Sequence, residues 1–162
     1  MKHAISFLSS ILLSLAFAFM SCSREKPGPI SVENDISPTI LNSGDYIQWQ
    51  VEVTNMGGEV EIERVHCREE FISGWGQGQY VEIDLPISNS VISEHESEIV
   101  YEQTSAVWNT GPDDLQVKNT VTVYSDGGTD TDEVIYTIKT SSCKGSSMPP
   151  TERTLIDNAI NN

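Results

Sequence analysis

The chain of 162 residues reads as an all-β sandwich of about seven antiparallel strands. Three observations lead there. The stretch from Ser43 to Gly58 alternates cleanly: Ile47, Trp49, Val51 and Val53 fall on one side, and Tyr46, Gln48, Gln50 and Glu52 on the other. Successive strand side chains point to opposite faces, so this is a strand with one dry face and one wet face. Similar short runs recur between Gly-, Pro- and Asp-rich turns, with no long helical period. An antiparallel sheet that must hide one face needs a second layer, and the other runs have the apolar positions to supply it.

Taken in order, Ile30–Ile36 is the first expected strand, broken by Ser37-Pro38-Thr39. Asp45–Asn55 is the second, bounded by Ser-Gly and Gly-Gly turns. Glu59–Phe71 follows, with Val60 and Ile62 against exposed glutamates that make a charged, aggregation-resistant face. Ile72–Gln79 holds three glycines around Trp75 and reads as a loop. Tyr80–Leu85 is a short strand ended by Pro86, and Glu98–Val107 is another after a charged turn. Trp108–Leu115 is a loop. Val117–Tyr124 and Glu133–Thr140 form the closing pair, with Asp-Gly-Gly between them as a hairpin signal. Residues 144–162 are Ser-, Gly- and Pro-rich and then contain a segment that Thr151 can cap as a short helix, which is marginal unless it docks.

Residues 1–21 have a positive start, an apolar middle and a small residue at the end, the pattern of a cleaved secretory signal. The segment Phe19-Met20-Ser21-Cys22 resembles the lipobox of bacterial lipoproteins. The resemblance implies that Cys22 is lipidated and becomes the mature amino-terminus, with Ser23 compatible with sorting to the outer membrane. Two or three acyl chains anchor firmly, because each buried methylene contributes about 0.8 kcal/mol. Plain secretion with a free Cys22 is the alternative. Residues 22–29, rich in Pro and charge, are then a tether, 30–143 the sandwich and 144–162 a flexible tail.

The formal net charge is −15. That argues against nucleic acid and against lying flat on an anionic membrane, which both attract Lys and Arg. It suits cationic partners, divalent ions or simple solvation of the outer faces. With Cys22 lipidated, Cys67 and Cys143 remain as an even pair in an oxidising compartment. They are either bridged or two separate thiols, and geometry decides.

Three segments carry a further resemblance. SGDYIQWQVEVTNMGG, ISEHESEIVYEQTSA and VKNTVTVYSDGGTDTDEVIYTI together are similar to bacterial conserved-repeat and CARDB-type surface domains. That resemblance covers most of Ile40–Thr140 and implies an immunoglobulin-like sandwich outside the cell, acting in adhesion, spacing or assembly.

Little in the chain points to catalysis. His66 and Cys67 are adjacent, so on a strand they face opposite ways and cannot form a dyad. Asp126, Asp130, Asp132 and Glu133 crowd the last hairpin; they are either a polar tip or a weak calcium site, since calcium takes six to eight oxygens. Trp75, Tyr80 and Trp108 lie in or beside Gly-rich loops; they either plug the end of the sandwich or stack on a glycan or protein. The expectation is a non-enzymatic, envelope-anchored interaction or adhesion module without a cofactor, its membrane contact made by lipid and its partner an envelope protein. The alternative is a ligand-binding lipoprotein that recognises a glycan or calcium through its end loops.

Overall fold

The computed structural model describes residues 26–140, which contain nine strands and no helix among them. The strands are β1 Ile30–Ser37, β2 Ile40–Asn42, β3 Tyr46–Asn55, β4 Val60–Ser73, β5 Tyr80–Leu85, β6 Val91–Ile92, β7 Ser97–Ala106, β8 Leu115–Ser125 and β9 Gly128–Lys139. The expected leader, Cys22, Cys143 and the tail helix lie outside the described residues.

Two sheets face each other. One has the order β1-β3-β7; the other has the order β2-β9-β8-β4-β5, with β6 pairing to β4. This is the strand order of an immunoglobulin-like sandwich. All pairings are antiparallel except β2 with β9, which is parallel. The chain changes sheets between β1 and β2, at a cis Ser37–Pro38 peptide. The seven expected strands are all present. β2 and β6 were missed because three and two residues are too short to show alternation.

The inner faces are dry. Ile47, Trp49, Val51 and Val53 from β3 pack against Val65, Cys67 and Phe71 of β4 and Val117, Val121 and Val123 of β8 in one core. Full burial of each such aliphatic side chain contributes about 1.5–3 kcal/mol.

Three register shifts interrupt the ladders, and two of them re-aim buried side chains. In β4 the ladder shifts between Ile62 and Arg64, so Val65, Cys67, Glu69 and Phe71 become the inward set. In β7, Val51 pairs with Tyr101 while Glu52 pairs with Ile99, which leaves Val100 as the extra residue. Both Val100 and Tyr101 therefore point inward. A bulge re-aims side chains in this way and is favoured on edge strands.

Two expectations about the ends change. Gly28, expected within the tether, is buried against the sandwich, and its amide donates to Gly58 O at 3.3 Å. Only a residue without Cβ fits there, since a Cβ on Gly28 would stand 2.3 Å from Gly57 Cα. The final hairpin is also tighter than expected: Ser125 pairs with Gly128, so β9 begins there and Asp130 and Asp132 are strand residues.

Candidate functional site

The acidic hairpin does not gather its carboxylates. Asp130, Asp132, Val134, Tyr136 and Ile138 share the more buried face of β9, while Glu133 looks outward and pairs with Lys118 at 3.7 Å. Near the hairpin that buried face meets the edge of β1. Val32 N–H donates to Asp130 Oδ2 at 2.8 Å, and Asn34 N–H donates to Asp132 Oδ2 at 2.9 Å. Asp126 Oδ1 accepts from Glu61 N–H at 2.8 Å. Three of the four carboxylates are thus bound to backbone amides on two different strands. Among the described residues no group of three or more His, Cys, Asp or Glu is placed to hold a metal ion.

The three aromatic residues are also divided. Trp75 and Trp108 sit at one end of the sandwich, around the buried Asn109. Asn109 Oδ1 accepts from Trp75 Nε1–H at 3.1 Å, while its Nδ2 donates to Asp113 O at 2.7 Å and Ile138 O at 3.0 Å. Trp108 lies beneath Gly44, and its buried Nε1 has no hydrogen-bond partner among the described residues. Tyr80 is elsewhere, on the outer face of β5, with the Arg68 guanidinium 4.1 Å from its ring centroid. Trp75 is 49% exposed and Trp108 half-buried, and with Tyr80 elsewhere no three-aromatic platform forms.

His66 and Cys67 face opposite sides. His66 Nδ1 is 2.8 Å from Asp84 Oδ1 on the outer surface, whereas Cys67 is buried. Cys67 carries a free thiol; its expected bridging partner, Cys143, lies outside the described residues.

The feature that sequence reasoning missed is between the sheets. β5 ends one sheet and β7 ends the other, and their far edges are unpaired by any strand among the described residues. Between them is a cavity of about 310 Å³. Its walls are Trp49, Val81, Ile83, Leu85, Pro86 and Tyr101. Glu102 and Gln103 stand on the β7 side, and Cys67 and Glu69 come from β4. The connection after β5 closes one end, with Ser88 N–H donating to Val100 O at 2.8 Å.

Glu69 is 5% exposed. Its Oε1 accepts from Asn119 Nδ2 at 3.2 Å and from Tyr136 O–H at 3.1 Å. Among the described residues nothing bonds to Oε2. The network continues inward: Asn34 Nδ2 donates to Asn119 Oδ1 at 2.9 Å, and Trp49 Nε1–H donates to Asn34 Oδ1 at 2.8 Å. Asn119 Nδ2 also lies 3.4 Å from Cys67 Sγ. Burial disfavours the charged form of an acid, so it raises Glu69 above the ordinary carboxylate value, against the opposing pull of the Asn119 and Tyr136 hydrogen bonds. Burial, and then the Glu69 charge, raise Cys67 as well. Tyr101 is pushed up to about 12, first by burial and then by Cys67 and Glu69.

No family model matches this chain, and no curated protein does. Similar solved structures exist at low identity. Spo0M, a sporulation control protein from Bacillus subtilis, is 14% identical with a TM-score of 0.49, over 69% of this chain and 50% of that one. The alkylpurine DNA glycosylase AlkC from Pseudomonas fluorescens, solved on DNA with an abasic-site analogue, is 9% identical with a TM-score of 0.49. That match covers 69% of this chain and 31% of AlkC. A CARDB domain from Pyrococcus furiosus, solved with di-metal ions, is 15% identical with a TM-score of 0.36, over 71% of this chain and 90% of that one. The chain therefore spans half the length of the first of these proteins and under a third of the second.

Glu69 was legible in principle. Val65, Cys67 and Phe71 alternate, and the residue that completes their phase is Glu69. A glutamate on an apolar face is the signal.

Proposed function

We propose that this protein is a non-enzymatic interaction module of the cell envelope, held to a membrane by lipid on Cys22, that takes an extended basic segment of a partner along its open β5–β7 flank. One observation carries the reading: the two unpaired strand edges face each other across a cavity open to the side. A strand added to either edge gains main-chain hydrogen bonds, and alternate side chains enter the gap for specificity. Exposed apolar residues mark the same flank: Tyr80 and Ile83 on β5 and Ile99 on β7. The flank also carries Glu98 and Glu102, besides Glu82 and Asp84, which pair with Arg68 and with His66 and Arg64; the acidic surplus favours a cationic segment. The resemblance of Phe19–Cys22 to a lipobox supports the envelope location.

The test is site-specific photo-cross-linking in intact cells. A photoreactive residue at Ile83 or Ile99 is expected to capture one defined partner through an extended, Lys/Arg-rich peptide. The same probe at Ile135, exposed on the outer face of β9, is expected to capture nothing comparable. Equal capture at all three positions, or none at Ile83 and Ile99, refutes the reading. Cys22→Ala is expected to move the protein from the membrane fraction to the soluble one.

A further inference from the structure

We propose that the inter-sheet cavity binds an ammonium group on a short apolar stem, with the nitrogen seated on Oε2 of Glu69. The inference concerns the flank assigned above, but it rests on the cavity alone.

Glu69 lines an apolar chamber, and a buried carboxyl with one oxygen lacking a donor is costly unless that oxygen finds one. The protein supplies donors only to Oε1, from Asn119 and Tyr136. Those two bonds fix the carboxyl plane, so Oε2 is held in place for a third group. The walls contributed by Trp49, Val81, Ile83 and Leu85 suit methylenes or a ring. An anion is disfavoured, because Glu69 and Glu102 both line the chamber and no Lys or Arg does. A neutral alcohol would fit the walls and bond to the protonated carboxyl, but it gains no charge-assisted pair. An ammonium satisfies both requirements.

Binding exchanges one proton. With Glu69 protonated in the empty chamber, the incoming ammonium displaces the carboxyl proton to solvent, and the carboxylate and ammonium remain as a pair. No other bond is made or broken. The titratable groups around Glu69 are Cys67 on its own strand, Tyr136 from β9, and Tyr101 and Glu102 from β7; β8 contributes the neutral Asn119, and β5 contributes Val81 and Ile83. Burial raises both tyrosines and Cys67, so they stay neutral through the range in which Glu69 titrates.

Two sources offer this chemistry: a free amine, and a lysine side chain of a partner. The full chain is titrated calorimetrically with n-butylamine, 1-butanol and butyrate, in two buffers of different ionisation enthalpy. n-Butylamine is expected to bind at least about tenfold more tightly than 1-butanol, with butyrate not binding; a tenfold gap corresponds to about 1.4 kcal/mol. Where the pH lies below Glu69's own value, each amine bound is expected to release a proton and the affinity to rise about tenfold per pH unit; above that value both the release and the rise should vanish. Glu69→Gln keeps an oxygen for Asn119 and Tyr136. It is expected to lose the preference for amine while still binding 1-butanol, which shows that the variant is folded. Val81→Trp, which fills the chamber from β5, is expected to abolish binding of both.

Equal affinity for amine and alcohol, amine binding unchanged in Glu69→Gln, or no binding of any probe overturns the proposal. An extended lysine-containing peptide separates this inference from the flank reading. If the amine binds and the peptide does not, the chamber stands and strand addition falls. If the peptide binds equally well with norleucine in place of lysine, the flank stands and the ammonium assignment falls.

Discussion

Replacing Asp130 and Asp132 together by alanine should unzip the first strand from the last. The two carboxylates accept the Val32 and Asn34 amides, which point away from β3 along the free side of β1. Hydrogen bonds to a charged acceptor contribute about 1.5–3 kcal/mol each. Both aspartates are half-buried, so water can repair part of the loss and the lower end applies. The two carboxylates hold neighbouring amides of the same strand, so the two effects are coupled and need not add. The expected cost is about 3 kcal/mol, a large share of the 5–15 kcal/mol that holds a domain of this kind together. In urea, with a slope of about 1–3 kcal/mol per molar, the midpoint should fall by at least about 1 M at unchanged slope. Amide exchange should localise the effect, with Val32 and Asn34 losing protection first and β3 and β8 keeping theirs. The Asp→Asn pair retains an acceptor without its charge and should cost about half as much. A change below about 1 kcal/mol, with both amides still protected, would refute the assignment of these carboxylates to β1.

Other outcomes follow from the core. Glu69→Gln should be at least as stable as the parent at neutral pH. The folded carboxyl titrates above its unfolded counterpart, so the folded state holds the extra proton and parent stability falls as pH rises from the ordinary carboxylate range to Glu69's raised value. Glu69→Gln removes that slope, and melts from pH 4 upward check it; a parallel profile for the two proteins refutes it. Cys67 should resist iodoacetamide in the folded chain and react once urea unfolds it, because burial keeps the thiol protonated. Peptide mass spectrometry reads this, and rapid native labelling or a Cys67–Cys143 cross-link would contradict it. Trp49→Phe keeps the ring that stands edge-on to Tyr101 at 4.9 Å but leaves Asn34 Oδ1 without its donor, at a cost of about 1–3 kcal/mol by chemical denaturation. Calcium at millimolar concentration should leave the melting temperature unmoved, since Asp126, Asp130 and Asp132 are occupied by amides.

The strands were legible because each long one has a dry face, and period-two alternation is what such a strand must show. What escaped was anything that depends on how two alternations are phased. The β4 bulge turns Glu69 inward, yet Arg-Glu-Glu at residues 68–70 looks in the sequence like one more solvated patch. The β7 bulge sends neighbours Val100 and Tyr101 to the same side, which no strict alternation predicts. Asp130 and Asp132 read as a polar tip or a weak calcium site because their spacing carries no information about their face. Extending Val134, Tyr136 and Ile138 backward along β9 puts both on the more buried face, where the edge of β1 offers amides instead of ions. The cavity had no local signature at all, because it arises where strands from different sheets fail to meet.

The treatment of the two sides of the sandwich differs for a physical reason. On the β1–β9 side the gap between sheets is bridged by two carboxylates, and then by the parallel β2–β9 ladder once the chain has crossed sheets. Backbone donors there are satisfied at the cost of two half-buried charges. On the β5–β7 side nothing comparable is spent: among the described residues the crossing is at Ser88, and beyond it a carboxyl that lines the cavity is sunk between the layers. If stability alone governed, a leucine at position 69 would fill that chamber and remove the desolvation cost, since buried polar groups of this kind are often improved upon by apolar ones. Asn119 and Tyr136 instead hold the carboxyl rigidly in place, which is how a polar group is prepared for something that arrives from outside. The closed flank is therefore the structural one, and the open flank is where binding has to be sought.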